Sequence, residues 1–536
     1  MKETTMHDDL TPAPVSSATP RTTDHSAHAT RRQLLGAGLA GAGTLVFDLS
    51  GGHRALAQQP GALRVSANVN PSTLDPATGR SGGDHQFLYP LYDTLVQWDP
   101  KTLAPRPGLA RAWIYRDDTT LLLELRQGVT FHDGTPMDAE AVKFNLDRNR
   151  LDAKSNIKVD LASVESVTVT TPTTVTLKLK TADRSILLIL SDRAGMMVSP
   201  TAVKAGNGAI DRTPVGAGPW KFVKWDDSAV VVYERFPNYW EKGLPKVDRL
   251  EMKIIPEVNT GVRSVMAGEN DIVVQVPPIQ KALLDRSTKV TVQTISTLYL
   301  HMIYLDFSKA PFNDIRVRRA LNLAVDRVAF SKLTMAGLAE PATTIFPKSF
   351  WAHDASLGNI LAYNPDKAKA LLKEAGTPEI SFTGIAYSDQ AAIQKQEVLL
   401  DMWRKVGFRP KFRTASVAEA SSAFFFKREV DMFVAAITPR PDPSMAPTTI
   451  FGKISPYNGG RQEIPGMEEA LVASRTGATP EERKVGLSRV QRIALEQAVF
   501  VPLMFDANVS AVSKKFTGFE PNVMGRPRYE RVVAVG

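Results

Sequence analysis

The chain has 536 residues, 43% hydrophobic and 23% charged, a balance that supports a buried core and excludes a disordered or fibrous protein. Its 65 Lys and Arg against 56 Asp and Glu leave +9, too small a surplus over this length to make a nucleic-acid binder by itself. Cysteine is absent, which excludes thiol catalysis, disulfides, thiolate metal sites and a lipid attached through an N-terminal Cys.

At roughly 150 residues per domain the length allows about three units. Residues 1–30 are polar and rich in Thr, Ser, Pro, His and Asp, a composition that does not build a core. Thr30-Arg31-Arg32-Gln33-Leu34-Leu35 follows, then a Gly/Ala-rich apolar run to Phe47, then His53-Arg54-Ala55-Leu56-Ala57 with small residues at 55 and 57. This resembles a twin-arginine export signal, residues 1–57, with a mature chain starting near Gln58. The run Leu34 to Phe47 has 14 residues, short of the roughly 20 a spanning helix needs. A cleaved signal is therefore expected instead of a membrane anchor.

In chain order, Arg64 to Val69 alternates like a half-buried strand and leads into the turn-rich Asn70-Pro71-Ser72-Thr73-Leu74-Asp75-Pro76. A helix is predicted from Asp84 towards Val96, and Leu121 to Leu125 reads as a buried strand. Asp138 should cap a helix running through Arg148, with Ala139, Val142 and Leu146 on one face. Alternation on both sides of Thr171-Pro172-Thr173 predicts a hairpin. Beyond that the pattern becomes α/β. Helices are predicted over 366–375 and 389–406, each ended by a glycine (Gly376, Gly407), with strands over 408–413 and 431–437. Thr479-Pro480-Glu481-Glu482 is a capping-box sequence opening a helix to about Gln497, and an apolar strand follows over 499–505.

Three catalytic-looking patterns have bland readings. Gly36-Ala37-Gly38-Leu39-Ala40-Gly41 falls inside the apolar run of the signal, without the strand that a dinucleotide site needs. Gly79-Arg80-Ser81-Gly82-Gly83 matches G-x-S-x-G, yet turn residues precede it where a nucleophile elbow needs a strand. Ser155-Asn156-Ile157-Lys158 matches S-x-x-K without its companion motifs. The four mature-chain histidines, His85, His132, His301 and His353, show no metal-ligand spacing, so no metal and no cofactor is expected. His132 reads as a turn histidine packed against backbone, and Arg316, Arg318 and Arg319 as partners for nearby acids such as Asp314.

The order of segments then becomes informative. Leu91-Tyr92-Asp93-Thr94-Leu95-Val96, Pro107-Gly108-Leu109-Ala110-Arg111-Ala112-Trp113 and Leu125-Arg126-Gln127-Gly128-Val129-Thr130-Phe131-His132-Asp133-Gly134 are followed by Pro214-Val215-Gly216-Ala217-Gly218-Pro219-Trp220. Pro311-Phe312-Asn313-Asp314-Ile315-Arg316-Val317-Arg318-Arg319-Ala320-Leu321 and Ala368-Lys369-Ala370-Leu371-Leu372-Lys373-Glu374-Ala375-Gly376 complete the series. Together they resemble the peptide, opine and nickel group of extracellular solute-binding proteins, which serve ABC importers. The resemblance implies an α/β, two-lobed, type II-like clamp with an extra subdomain inserted in lobe one. Lobe one would take 58–296 plus a return over 500–536, and lobe two 297–499, with crossovers near 294–299 and 498–503. It also implies a periplasmic, non-catalytic monomer; the signal pattern adds export by the twin-arginine machinery, and the absent cysteines add that it is not lipid-anchored. Its partners would be a peptide, opine or amino-acid conjugate and membrane permease subunits, with no nucleic acid. The competing readings are a secreted serine hydrolase using Ser81 and a haem or chaperone-type carrier.

The resemblance also places pocket residues. The loop after the strand containing Asp431 reads Thr438-Pro439-Arg440-Pro441-Asp442-Pro443, similar to an Arg-x-Asp-Pro version of the family's pocket loop. Arg440 would grip a carboxylate bidentately, or else pair internally with Asp442 or close the lobes, and Asp442 would form the turn, pair with an arginine or touch ligand. Peptide-binding members carry an acid about where Pro439 stands, a departure that points away from ordinary dipeptides. Asp84 and His85 fall in the stretch that would face the cleft from lobe one. Tyr457 and Asn458, in a Pro-Tyr-Asn-Gly turn, offer an aromatic face and an amide.

Overall fold

The computed structural model describes residues 61–79, 81–207 and 210–535. The expected export signal, with the G-x-G-x-x-G pattern inside it, and Arg80 lie outside the described residues.

Two long antiparallel strands carry the architecture. Val290–Leu305 and Phe500–Ser513 pair along most of their length, but the register shifts between Ser296, opposite Ala507, and Leu300, opposite Phe505. On one side of this break Ile272–Val273 extends the sheet from Phe500–Ser513 to Ala62–Ala67, Arg249–Ile254, Val230–Arg235 and Trp220–Asp226. On the other side Val290–Leu305 pairs with Met432–Ile437, and Ile380–Tyr387 and Phe408–Ala415 follow in parallel. The result is two α/β lobes joined by two strands that belong to both. A bulge lets a strand change direction without ending, which is how one sheet serves two bodies.

Each lobe buries its own core. In the first, Leu63, Val65, Leu250, Met252, Val231 and Tyr233 pack with Phe87, Leu91 and Tyr92. In the second, helices Ile315–Leu323, Arg327–Met335, Pro365–Glu374 and Gln390–Arg404 cover one sheet face. There Trp403 is fully buried with its indole N–H on Leu321 O at 3.3 Å, so its loss to alanine would cost about 3–5 kcal/mol. Helices Met467–Thr476 and Pro480–Glu496 pack with the aromatic cluster of Tyr304, Phe424, Phe425 and Phe433 in the second core of that lobe. A separate antiparallel sheet, Ala110–Asp117, Thr120–Leu125, Thr174–Leu179 and Val164–Thr171 in spatial order, carries helix Ala139–Leu151 and forms an inserted subdomain.

Local signals behave as their chemistry dictates. Asp138 accepts from Ala141 N at the helix start, and Gly376 (φ +77°) and Gly407 (φ +119°) hold the left-handed positions that follow two helices. The hairpin forms around Thr171-Pro172-Thr173. Three expectations need correction. The helix predicted from Asp84 towards Val96 is a short turn, His85–Leu88, because Pro90 removes a backbone N–H and crowds the carbonyl one turn back. The strand at 121–125 alternates buried and partly buried residues, so it covers one face only. The capping box at Thr479 is half formed: Thr479 accepts from Glu482 N, while Glu482 reaches Ala478 N.

Candidate functional site

Between the lobes, at the two linking strands, lies a cavity of about 1030 Å³. Lobe one contributes Asn68 and Gln275, which follow the carboxyl ends of two adjacent strands and are hydrogen-bonded to each other at 2.9 Å. Lobe two contributes Tyr387 at the end of its strand and Asp389 and Lys395 from the helix that follows. The linking strands supply Tyr299, His301 and Asp506. Crevices at the carboxyl ends of parallel strands are where open α/β sheets hold ligands, because loops and helix N-termini converge there.

The register break shapes this wall. Thr297 donates its hydroxyl to Asp506 O (3.0 Å) and accepts Tyr299 N (3.3 Å), while Leu298 N donates to Val523 O (2.9 Å). A second shift follows between His301 and Met302. His301 Nε2 stands 3.8 Å from Asp506 Oδ2, beyond hydrogen-bond distance, and Tyr299 packs edge-on against the imidazole at 5.2 Å. His301 Nε2 and Asp506 Oδ1 are both buried without a hydrogen-bond partner among the described residues. Burial lowers the pKa of His301, with Asp506 opposing, and burial likewise lowers that of the Lys395 ammonium against Asp506 and Asp389. Asp389 is already engaged, accepting from Ala392 N as the helix cap.

The residues singled out from sequence lie elsewhere. None of Asp84, His85, Arg440, Asp442, Tyr457 and Asn458 is in the described wall of this cavity. Asp84 is fully buried, its carboxylate accepting from Ser72 N and Oγ, Ser81 N and Arg193 Nη2. His85 places Nδ1 3.0 Å from Gly82 O and Nε2 2.6 Å from Asp192 Oδ1. Burial and Arg526 push its pKa down to about 4, with Asp192 pulling the other way. Ser81 caps the short turn at Gly82–Asp84, its hydroxyl accepting from Gly83 N, so the G-x-S-x-G match is helix-start chemistry.

Arg526, which sequence reasoning passed over, ties these groups together. Its guanidinium donates to Asp192 Oδ2 at 2.8 Å and to Pro439 O at 3.1 Å, joining lobe one to the 438–443 loop. The same loop approaches lobe one again where Thr438 faces Gly82; a Cβ on that glycine would stand 3.9 Å from Thr438 Cγ2. The charge of Arg440 is felt at Asp160, whose pKa burial raises and that guanidinium lowers. The only available signal for Arg526 was a basic residue in the Gly-Arg-Pro-Arg stretch near the C-terminus, and nothing local distinguishes it from a surface charge.

Asp442 turns inward. It is fully buried, and its Oδ1 accepts from Arg483 Nη2 (2.6 Å), Ser444 N (2.9 Å) and Ser444 Oγ (2.6 Å), while Oδ2 has no partner among the described residues. Its arginine is thus Arg483 of the Pro480–Glu496 helix and not Arg440. Asn458 is consumed by its own turn: Nδ2 donates to Phe451 O, Gly452 O and Gln462 O, and Oδ1 accepts from Gly460 N and Arg461 N. Tyr457 is 41% exposed and packs edge-on against Phe425 at 4.9 Å. His132 matches its expectation, Nε2 donating to Gly218 O and Nδ1 accepting from Gly216 N.

Two α/β lobes on a pair of shared strands, an inserted subdomain and a polar cavity at the junction define a two-lobed solute-binding clamp of the type II periplasmic-binding-protein fold. The chain belongs to the bacterial extracellular solute-binding proteins, family 5, whose model matches residues 104–458. It is 30% identical over 473 residues to the glutathione-binding protein GsiB of Salmonella paratyphi A, covering 85% of this chain and 91% of that one. Two solved structures share the fold. A dipeptide-binding protein from Pseudoalteromonas sp. SM9913 in complex with Met-Leu superposes with a TM-score of 0.78 at 21% identity, over 88% of this chain and all of that one. The periplasmic binding protein AgaA of A. tumefaciens R10 in complex with agropinic acid gives 0.77 at 23%, over 89% of this chain and 99% of that one. Membership places the protein among binding proteins and not among enzymes.

Proposed function

We propose that this protein is the periplasmic substrate-binding component of an ABC importer, enclosing a small peptide-like or opine-like solute between its lobes and delivering it to a membrane permease. The cavity of about 1030 Å³ at the linking strands carries this reading, since it takes walls from both lobes and so is completed only when they approach. Ligand that contacts both lobes stabilises the approached state, and a permease can sense that population. The proposed division puts 61–296 and 507–535 in lobe one and 300–505 in lobe two, with the exchange at the register break. Residues 1–57 would be a cleaved twin-arginine signal, and without a cysteine the mature chain would be released unlipidated. The similarities to proteins named for glutathione, a dipeptide and an opine support a solute of that size and polarity. Arg440 remains a proposed ligand contact from the 438–443 loop.

Thermal unfolding of the mature chain against glutathione, Met-Leu, agropinic acid, free amino acids and longer peptides tests this reading. A true ligand raises Tm with the logarithm of its excess over Kd. A shift with no member of the panel, and no small molecule on the protein purified from its own cells, would sink it.

A further inference from the structure

Charged and polar groups around the crevice fall into two kinds. Asp84, Asp192, Arg193 and Arg526 each hold ionic or hydrogen-bonded partners within the protein. At the cavity the pattern reverses. His301 Nε2 and Asp506 Oδ1 are buried without hydrogen-bond partners, and Lys395 forms no ion pair among the described residues although burial penalises its charge. An unpaired buried polar group costs stability unless something else satisfies it, so two on one wall, with the unpaired Lys395 ammonium lining the same cavity, mark a place prepared for outside partners.

Their chemistry limits what that partner can be. Lys395 offers only donors and a positive charge, while Asp506 offers acceptor oxygens and a negative charge. His301 adds a ring nitrogen beside Asp506, and the aromatic face of Tyr299 closes that end. We propose that Lys395 binds a carboxylate and that Asp506, supported by His301, binds an ammonium, so that the cavity selects a solute carrying both, as in an amino acid or an uncapped peptide. The cavity has room for both groups to belong to one small molecule. The inference rests on the solute-receptor reading and assigns two determinants of specificity to it.

Capped ligands separate the two groups. Calorimetric titration of the mature chain would use glutathione and Met-Leu, each also as the N-acetyl and the C-terminal amide derivative. Whichever parent binds wild type should bind Lys395→Met at least about tenfold more weakly, a deficit that the amide does not show and that Lys395→Arg partly restores. Asp506→Asn should lower affinity for the parent and leave that for the N-acetyl compound unchanged. Unfolding curves for all three variants confirm that each is folded. Equal losses for capped and uncapped ligands would overturn the assignment. So would a wild type that binds uncharged solutes and ignores every zwitterion offered. Failure to bind any solute would instead remove the receptor reading, and the inference with it.

Discussion

The Asp192–Arg526 knot and the His301–Asp506–Lys395 wall lie in the same protein, each combine aspartate, histidine and a basic side chain, and behave in opposite ways. In the knot every charge is answered: Asp192 takes His85 on one oxygen and Arg526 on the other, and Arg193 pairs with Asp84 at 3.1 Å. At the wall the polar groups face a cavity, and the nearest acid and imidazole, Asp506 and His301, are 3.8 Å apart. Burial is expensive for both sets, so an answered charge is read as structure and an unanswered one as function. By that criterion His85 and Asp84 hold the crevice in shape, although the sequence placed them at the cleft for a different reason.

The largest expected effect would break the knot. Asp192→Ala leaves Arg526 and His85 buried without their anion and should lower unfolding free energy by about 3–5 kcal/mol in urea titration, the range for removing one partner of a buried pair. A loss below about 1 kcal/mol would show that the knot is no more than a surface pair.

A pair of histidines sharpens the contrast next. His132 is neutral by design, with both ring nitrogens satisfied by backbone and a pKa lowered by burial to about 4. Between pH 6.5 and 4 the unfolded chain binds a proton that folded His132 refuses, so its contribution to stability is lost as pH falls through that window. Against His132→Gln, wild type should lose roughly 2–3 kcal/mol more between pH 7 and pH 4. Parallel pH profiles for the two proteins would contradict this. His301 should behave differently: His301→Leu removes an unpartnered nitrogen, so stability should hold or rise by about 1 kcal/mol while ligand affinity falls.

Between those outcomes stands Arg440, the anion reader expected from the loop sequence. Arg440→Ala should weaken binding by about 1.5–3 kcal/mol in calorimetry with little change in unfolding free energy. A variant that loses stability and keeps affinity would assign Arg440 to the knot.

Smallest is the contact between subdomain and lobe two. Arg475 Nη2 meets Asp183 Oδ2 at 2.5 Å, and although the carboxylate is buried it keeps Ser185 N and Oγ as donors, so Arg475→Ala should cost about 1–2 kcal/mol. Its sharper readout is small-angle scattering, in which the ligand-free variant should populate a more extended shape than wild type.

Much of the scaffold was legible in the chain because it is decided within one helical turn or one hairpin. Asp138 and Thr479 cap helices, Gly376 and Gly407 take left-handed positions after helices, and Thr171-Pro172-Thr173 turns a hairpin, all through contacts no more than a few residues away. The order of six short segments, from Leu91–Val96 to Ala368–Gly376, also carried the family and the two-lobed architecture. What only the tertiary structure decided is which charges answer one another. Asp442 meets Arg483 across 41 positions, His85 meets Asp192 across 107, and Arg526 reaches Asp192 across 334. The cavity wall likewise depends on where the register of the two linking strands breaks, between the Ser296–Ala507 and Leu300–Phe505 pairs. Spacing fixes the face of a helix or strand a residue occupies. It does not fix the partner that a folded sheet brings to that face, and for a buried charge the partner determines whether it holds the protein together or waits for a ligand.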